Sequence, residues 1–283
     1  MIKKIFITII SIFFIIMSIL IHSRFVATKG LITKEYSIND NNLPTSFNDL
    51  KILHFSDILY NNTSYNKDID KLLEECNLIE PDIVIFSGDL INSQYKLKAS
   101  DKEYLINILS NIKATYGKYS ILGDNDYSDL NTVKDIYLNS NFKVLDNEYD
   151  IIYNLNNDEI FIGGLSSNLK NEADINAVMN YFKTNEDIPY KIIIIHEPDY
   201  LDNIVNNYNI NLITAGHSLN GQINIPIIKK IFLQKDSKKY YNNYYNINNT
   251  NIYISSGIGT NKLNFRLFNK PSINFYRLKN KQE

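Results

Sequence analysis

Short apolar runs alternate with amphipathic stretches along most of the chain, and this alternation predicts two kinds of secondary structure. Apolar runs of four or five residues predict strands at 51–55, 83–87, 118–122, 159–163, 191–195, 212–215 and 251–255. Apolar positions at helical spacing predict helices at 68–78, 101–112, 132–140, 176–182 and 200–206. Because strands and helices alternate, the pattern indicates a layered α/β fold. Most of the predicted strands lack polar alternation, as expected for strands in the centre of a sheet.

The N-terminal segment carries a much longer apolar run. Residues 5–21 are interrupted only by one threonine and two serines, and lysines stand at positions 3 and 4. A helix needs roughly 20 apolar residues to cross a bilayer, with about 17 as the lower limit, so this run predicts an uncleaved signal anchor. The basic N-terminus favours an orientation that places the domain outside the cytoplasm. We therefore expect a single-pass cell-membrane protein; a cleaved signal peptide is the alternative and gives a soluble product in the same compartment.

The rest of the chain suits one large domain. We assign residues 1–25 to the anchor, 26–50 to a polar lead-in and 51–283 to the domain, in which the tract 238–249 predicts a surface loop. The composition is globular, with 44% hydrophobic residues, and a net charge of −2 provides no electrostatic basis for binding nucleic acid. Cys76 is the single cysteine, so no disulfide can form within the chain, and its amphipathic surroundings indicate a buried small hydrophobe.

Polar residues follow several predicted strands at the point where each strand ends. Asp57 follows the first, Asp89 the second, and a Gly-Asp-Asn-Asp segment at 123–126 the third, whereas His196 and His217 follow two later strands. Taken singly, such residues are typical of turns, helix caps or hydrogen-bonded histidines. Taken together they predict one site, because ligands gather beyond the carboxyl ends of strands in α/β sheets. Carboxylates and imidazoles are the ligands that Zn²⁺, Mn²⁺ and Fe prefer.

The order of these motifs resembles the metallophosphoesterase, or calcineurin-like phosphoesterase, family, and in particular its membrane-anchored bacterial branch. The family's motifs run D-x-H, G-D-x-x-D, G-N-H-E/D, a lone H, and G-H-x-H. The corresponding segments here are Asp57-Ile58-Leu59, Gly88-Asp89-Leu90-Ile91-Asn92, Gly123-Asp124-Asn125-Asp126, His196 and Gly216-His217-Ser218-Leu219, with further matches at 256–260 and Arg266. The resemblance implies an α/β fold in which helices flank a β-sandwich. It also implies two metals at one edge and metal-assisted hydrolysis of a phosphoester.

The first metal site of the family has lost both of its imidazoles in this sequence. The resemblance assigns that site to Asp57, Leu59, Asp89 and Leu219, where the two leucines replace histidines. Leucine cannot coordinate a metal, so we expect this site to be empty or very weak.

The second metal site keeps four residues that can coordinate a cation. The resemblance assigns it to Asp89, Asp124, His196 and His217, of which Asp124 replaces the family's asparagine. Two carboxylates and two imidazoles suit one divalent transition metal, either Mn, Zn or Fe. The added carboxylate also repels a phosphate dianion, which should weaken substrate binding.

The position of the family's acid–base histidine is Asn125, which cannot transfer a proton near neutral pH. The loss of a general acid–base group costs about 10² to 10⁴ in rate. Asp126 remains, so Asn125 and Asp126 are the residues that occupy the catalytic motif. His54 lies inside a predicted strand, and we do not expect it to replace a lost ligand.

Three functions remain open at this point. The first is a phosphoesterase of weak or altered activity that uses one metal, with a phosphorylated small molecule or a lipid-linked phosphate as its substrate. The second is a catalytically inactive pseudoenzyme, which would act as a membrane-tethered binding module. The third is a structural domain without a ligand. The coupled changes at Leu59, Leu219 and Asn125 favour the second slightly, and the retained second metal site favours the first.

Overall fold

Six helices and twelve strands are present in the computed structural model, which describes residues 1–61, 66–185, 187–226, 228–261 and 263–281. The helices are α1 (Ile2–Phe25), α2 (Asn66–Ile79), α3 (Ala99–Ser110), α4 (Leu130–Asn139), α5 (Ile175–Met179) and α6 (Leu201–Val205). The strands are β1 (Ile32–Asn39), β2 (Leu50–Phe55), β3 (Ile83–Phe86), β4 (Gly117–Ser120), β5 (Lys143–Val144), β6 (Glu148–Tyr153), β7 (Glu159–Gly164), β8 (Lys191–Ile194), β9 (Leu212–Ala215), β10 (Tyr244–Ile247), β11 (Thr250–Ile254) and β12 (Ser272–Lys279).

The strands form two sheets of six. The order is β1-β12-β2-β3-β4-β5 in the first sheet and β10-β11-β9-β8-β7-β6 in the second. Strands β2, β3 and β4 run parallel, as do β7, β8, β9 and β11. Because parallel strands end at the same edge of a sheet, the loops that follow them lie side by side.

The two sheets pack face to face and form the predicted sandwich. Ile83 and Ile85 on β3 share one buried cluster with Ile162 on β7 and with Ile192 and Ile194 on β8. Their neighbours on β3, which point the other way, pack instead beneath α2, α3 and α4. Each central strand is therefore apolar on both faces, which explains why the sequence showed short unbroken apolar runs.

Helices cover the outer face of each sheet. Helices α2, α3 and α4 pack on the first sheet, and α5 and α6 contribute to the outer cluster of the second sheet. Cys76 on α2 is buried in the first of these layers, as its amphipathic surroundings indicated. The predicted strands and helices outside the anchor all correspond to elements of the structure, with ends that differ by a few residues.

Five strands, β1, β5, β6, β10 and β12, lie where the sequence analysis predicted none. Strand β1 lies within the lead-in at 26–50 and pairs in parallel with β12, so this segment is an integral edge of the first sheet. The prediction of a loop throughout 238–249 was wrong for β10, which pairs antiparallel with β11. Tyr244 on β10 packs against Tyr253 on β11 with ring centroids 4.9 Å apart. The alternating tyrosine and asparagine side chains are partly exposed, so β10 lacks the apolar pattern of a central strand.

Among the described residues, α1 is the one helix long and apolar enough to cross a membrane. Its C-terminal end is bound to the domain by two hydrogen bonds. The backbone N–H of Arg266 donates to the Ser23 carbonyl at 3.0 Å, and the Arg24 guanidinium donates to the Asn264 carbonyl at 2.9 Å. The candidate membrane span therefore ends directly against the domain surface.

We expect Phe86→Ala to lower the free energy of unfolding by about 3–5 kcal/mol, because it removes a fully buried ring from the first sheet. The ring of Phe86 stacks on Phe55 at 4.8 Å and meets Tyr137 edge-on at 5.7 Å. Denaturant unfolding of the full chain in detergent measures the change. Leu155→Ala, at a fully exposed position, is the control and should change stability by less than about 0.5 kcal/mol. Equal effects of the two substitutions would contradict this packing.

Candidate metal centre

The candidate site is built from sharp turns at the ends of parallel strands. Asp57 follows β2, Asp89 follows β3 and His217 follows β9, and these three residues have φ values of 51°, 61° and 62°. Positive φ is uncommon for residues other than glycine, although aspartate and histidine tolerate it better than most. From these turns, the side chains of Asp89 and His217 reach the same group of potential ligand atoms.

Four of the predicted ligands converge on one point. Asp89, Asp124, His196 and His217 each offer one ligand atom, and these atoms all lie within 4.8 Å of one another. The Nε2 atom of His196 is 3.3 Å from Asp89 Oδ2 and 3.5 Å from Asp124 Oδ1. The Nδ1 atom of His217 is 3.2 Å from the same Asp124 oxygen. These four residues are the set that the resemblance assigned to the second metal site.

Backbone carbonyls set the tautomer of both histidines. The Nδ1 atom of His196 is 2.6 Å from the Ser87 carbonyl, and the Nε2 atom of His217 is 2.8 Å from the Lys235 carbonyl. A carbonyl can only accept, so each ring donates its N–H away from the cluster. The other ring nitrogen of each neutral histidine then presents a lone pair to the carboxylates, which is the arrangement of a metal ligand.

The residues present fit a divalent cation. The Nε2 atom of His196, the Nδ1 atom of His217 and the Oδ1 atom of Asp124 are all buried without a hydrogen-bond partner among the described residues. Lone pairs and carboxylate oxygens that face one another repel unless a positive charge lies between them. A metal ion bound by these atoms would satisfy all of them at once.

Without a metal, protons on the two histidines supply the positive charge, and the pKa values of both rings are raised accordingly. Burial alone would lower the pKa of His196, but the charge of Asp89 and contact with Asp124 raise it well above its ordinary value. Burial also opposes protonation of His217, whose pKa is nevertheless raised by Asp124. Burial favours a neutral Asp124, but the two histidines lower its pKa. A metal ion must therefore displace protons when it binds.

Two glycines allow the strand-end turns to approach closely. A Cβ atom on Gly123 would lie 2.2 Å from Asp89 Oδ1, and one on Gly88 would lie 2.5 Å from the Gly123 nitrogen and 2.9 Å from His196 Nδ1. Gly88 also has a φ of +89°, which side chains rarely adopt. Both glycines are thus required by the space that the ligands occupy.

Asp57 lies beside the cluster but outside the group of four. Its Oδ2 atom accepts hydrogen bonds from the His217 backbone N–H at 3.0 Å and from the Ser56 hydroxyl, whereas its Oδ1 atom is buried and has no hydrogen-bond partner in the described part of the chain. Burial raises the pKa of Asp57 to about 6, against the effect of His196, which favours the ionised form. In the metal-free protein, Asp57 therefore positions the loop that carries His217.

Leucine side chains fill the space next to Asp57. Leu59 and Leu219 are each almost completely buried. A Cβ atom on Gly257 would lie 2.4 Å from Leu219 Cδ2, and one on Gly259 would lie 2.9 Å from Leu59 Cβ. Both leucines thus pack tightly against the loop at 257–259. Because this part of the pocket is apolar and filled, we expect no second cation to bind beside Asp57.

Asn125 and Asp126 hold the turns in place. Asn125 donates from its side chain to Asp89 Oδ2 at 2.6 Å and from its backbone to Asp89 Oδ1 at 2.8 Å. Buried Asp126 accepts hydrogen bonds from the backbone N–H groups of Asp89, Leu90, Ile91 and Gly123. Burial and the charge of Asp89 raise the pKa of Asp126 to about 7, whereas these donors favour its ionised form. These contacts are positional, and a catalytic role for either residue stays a prediction.

His54 and Arg266 have structural partners close to the site. Both ring nitrogens of His54 are 2.8 Å from hydroxyl groups, those of Tyr276 and Ser87, and burial lowers its pKa to about 3. His54 therefore stays outside the cluster, as we expected. Fully buried Arg266 donates to the carbonyls of Ser256, Gly257 and Gly259, so it supports the loop against which the two leucines pack.

The site opens into a cavity of about 510 Å³ that the sequence analysis did not foresee. Asp124, Asn125 and His217 lie at its base. Its walls carry mostly neutral polar side chains, which include Asn61, Asn92, Gln94, Gln234, Asn261 and Asn264, together with Lys235. Gln234 also donates to the His217 carbonyl. Asn92 occupies the last position of the G-D-x-x-D motif, whereas the other wall residues come from distant loops and match no motif, so the sequence held no signal for them.

The calcineurin-like phosphoesterase family model matches residues 50–221, which is more than half of the chain and includes every predicted ligand. The chain belongs to the calcineurin-like phosphoesterase family. The resemblance inferred from the motifs is thereby confirmed, and so is the layered α/β fold that it implied.

Relatives of the chain include both bacterial and animal proteins. It is 26% identical to the metallophosphoesterase YkuE of Bacillus subtilis, over 91% of this chain and 89% of that protein. It is 29% identical to a Campylobacter jejuni metallophosphoesterase and 26% identical to a Bos taurus transmembrane protein with a metallophosphoesterase domain. Those matches cover 89% and 82% of this chain, but only 65% and 53% of the two relatives. The calcineurin-like phosphoesterase YfkN of Bacillus subtilis superposes over 74% of this chain and 81% of that chain, with a TM-score of 0.46.

We expect the purified full chain to bind one Mn²⁺ or Zn²⁺ ion, and His217→Ala to weaken that binding by more than roughly 100-fold, because it removes a ligand atom of the cluster. Isothermal titration calorimetry after chelator treatment measures both affinity and stoichiometry. His22→Ala removes a histidine outside the cluster and is the matched control. Two ions per wild-type chain would show that the leucine-filled half of the pocket also binds metal.

The stabilisation by metal should increase with pH. In the metal-free protein the pKa values of Asp57, Asp126 and both cluster histidines are raised on folding, so the stability they contribute is lost as pH rises through those values. Metal binding supplies the missing positive charge. We therefore expect the rise in unfolding temperature on adding Mn²⁺ to be larger at about pH 8 than at about pH 5. A rise that is independent of pH would contradict metal binding at these residues.

Proposed function

We propose that the protein binds one divalent transition metal, either Mn, Zn or Fe, through Asp89, Asp124, His196 and His217, and hydrolyses phosphoesters slowly. One observation carries this proposal: four ligand atoms converge, those of Asp124, His196 and His217 are buried without a hydrogen-bond partner among the described residues, and backbone carbonyls turn both histidines so that their lone pairs face the same point. Chance loss of function would not be expected to keep this arrangement.

The residues of the chain have separable roles in such a reaction. The bound metal would supply a Lewis acid that polarises the phosphoryl group. The side-chain amide of Asn125 carries two N–H groups, and one of them donates to Asp89. The other N–H can orient a phosphate oxygen, but an amide cannot protonate the leaving group. The rate then depends on the leaving group itself. We therefore infer a substrate whose alcohol leaves readily, or a slow turnover.

The walls of the cavity support a phosphorylated substrate that carries hydroxyl groups. Carboxamide side chains such as those of Asn92, Gln94 and Asn261 both donate and accept hydrogen bonds. Lys235, which is exposed and lines the cavity, adds one positive charge. A phosphorylated small molecule or a lipid-linked phosphate of the cell envelope combines these features.

The proposed location is the outer side of the cell membrane, with α1 as the single membrane span. The apolar length of α1 supports a membrane span. The lysines at positions 3 and 4 support the orientation with the N-terminus inside the cell. Relatives from Bos taurus and Danio rerio are named as transmembrane proteins.

A second function, a catalytically inactive binding module, is favoured by one specific observation. Leu59 and Leu219 fill the pocket and pack closely against the loop, because the glycines at 257 and 259 leave room for their side chains. This half of the pocket is thus well adapted to being apolar. A protein of this kind would hold a phosphorylated ligand at the single metal without cleaving it.

The full chain, loaded with Mn²⁺, should hydrolyse an activated aryl phosphodiester at a measurable but low rate. His217→Ala should abolish this activity, because the metal ligand is lost, whereas Lys183→Gln, at an exposed site, should not change it. Release of the aryl alcohol, followed by absorbance, measures the rate. No turnover above that of His217→Ala, together with retained binding of the metal, would favour the binding module.

The triple substitution Leu59→His, Leu219→His and Asn125→His tests the reason for the low rate. It restores two imidazoles for the first metal and one acid–base group, so we expect a gain in rate of about 10² or more. Metal stoichiometry measured on the same sample should rise from one to two. A second metal without a gain in rate would mean that the cavity has lost its ability to place the substrate.

A further inference from the structure

A second large cavity lies between the end of α1 and the domain. Its volume is about 850 Å³, which is greater than that of the cavity at the metal centre, and the two cavities share no lining residue. Ser18, Ile19, His22 and Val26 form the wall on the α1 side. Leu267 and Phe268 form part of the wall on the domain side, and most of the cavity surface is apolar.

With α1 as the membrane span proposed above, the cavity lies at the depth where a lipid changes from headgroup to acyl chain. Ser18 and Ile19 belong to the apolar run at 5–21, whereas His22 and Val26 lie beyond its end. At 1.5 Å of rise per residue, the α1 wall from Ser18 to Val26 spans about 12 Å along the helix axis. The cavity therefore extends from inside the hydrocarbon region to the membrane surface. Phe268, of which 75% is exposed, adds a large apolar ring at the rim.

Positive charge collects on the domain side of the cavity. Lys34 and Lys270 line it, and nearly buried Lys229 donates to Asn220, another lining residue, at 2.7 Å. Lys34 donates to the Ser256 hydroxyl, a neutral group, at 2.8 Å. Burial, and to a lesser extent the positive charges of Arg266 and Lys229, lower the pKa of Lys34 to about 8, so positive charge exceeds negative charge around this side chain. An anion bound here would relieve that excess.

We propose that this cavity binds one anionic phospholipid of the membrane that α1 crosses, with its phosphate held by Lys34 and Lys270 and an acyl chain along α1. The occupant follows from two features that occur together. Lysines at the membrane surface attract anionic headgroups, and the apolar wall continues along a helix that itself lies among acyl chains. A soluble anion would use the lysines but leave the apolar wall exposed. The proposal does not depend on metal binding or on hydrolysis.

Native mass spectrometry of the full chain in neutral detergent tests this proposal. Titration with phosphatidylglycerol should yield one bound lipid per chain, with an affinity at least about tenfold greater than that for phosphatidylcholine of the same chain length. The double substitution Lys34→Gln and Lys270→Gln should lower the affinity for phosphatidylglycerol by about tenfold or more and leave the affinity for phosphatidylcholine unchanged.

The control carries the same change of charge at exposed sites, Lys183→Gln and Lys238→Gln, and should bind phosphatidylglycerol as the wild type does. Unfolding temperature without lipid, and retention of one metal ion, show that each variant is folded. Equal binding of the two lipids, or equal binding by both double variants, would overturn the proposal. Displacement of the lipid by inorganic phosphate at comparable concentration would also overturn it, because the site would then recognise a free anion.

Discussion

Two imidazole lone pairs and two carboxylates face one another at the edge of the sandwich, and a cation between them makes this arrangement favourable. The surrounding structure serves to hold these four groups in place. Positive-φ turns at Asp89 and His217 aim two of the side chains, and the Ser87 and Lys235 carbonyls turn the two rings. The strain of those turns persists because buried hydrogen bonds over-determine the loops.

Next to these polar groups, at the same edge of the sandwich, the space beside Asp57 is apolar. Leu59 and Leu219 fill the space beside Asp57, and the loop supported by Arg266 packs against them. A carboxylate in such surroundings is destabilised in its charged form, which is why the pKa of Asp57 is raised to about 6. The group of four residues could hold a metal, whereas the two packed leucines offer no ligand atom. Whether binding leads to turnover then depends on the leaving group of the substrate.

The end of α1 packs against the domain, and the two together line a cavity that neither could form alone. Hydrogen bonds from Arg24 and Arg266 hold the end of α1 to the segment at 264–266. Asn264 also lines the metal-centre cavity, so the mouth of that cavity lies near the membrane end of the domain. This placement is consistent with a substrate that is itself attached to the membrane.

The sequence alone indicated the layered α/β fold, the candidate membrane span and, through the order of its family motifs, the four residues that could hold a metal, because buried strands, a long apolar run and strand-end polar residues each leave a local pattern. It did not reveal β1, β5, β6, β10 or β12, which are very short or mix polar with apolar residues and so lack that pattern. Nor did it reveal the carbonyl partners of His196 and His217, since every residue carries a carbonyl. It showed that Leu59 and Leu219 cannot bind metal. Only the tertiary structure decided that they pack against glycines 257 and 259, because contact between residues far apart in the chain depends on how the loops are folded together.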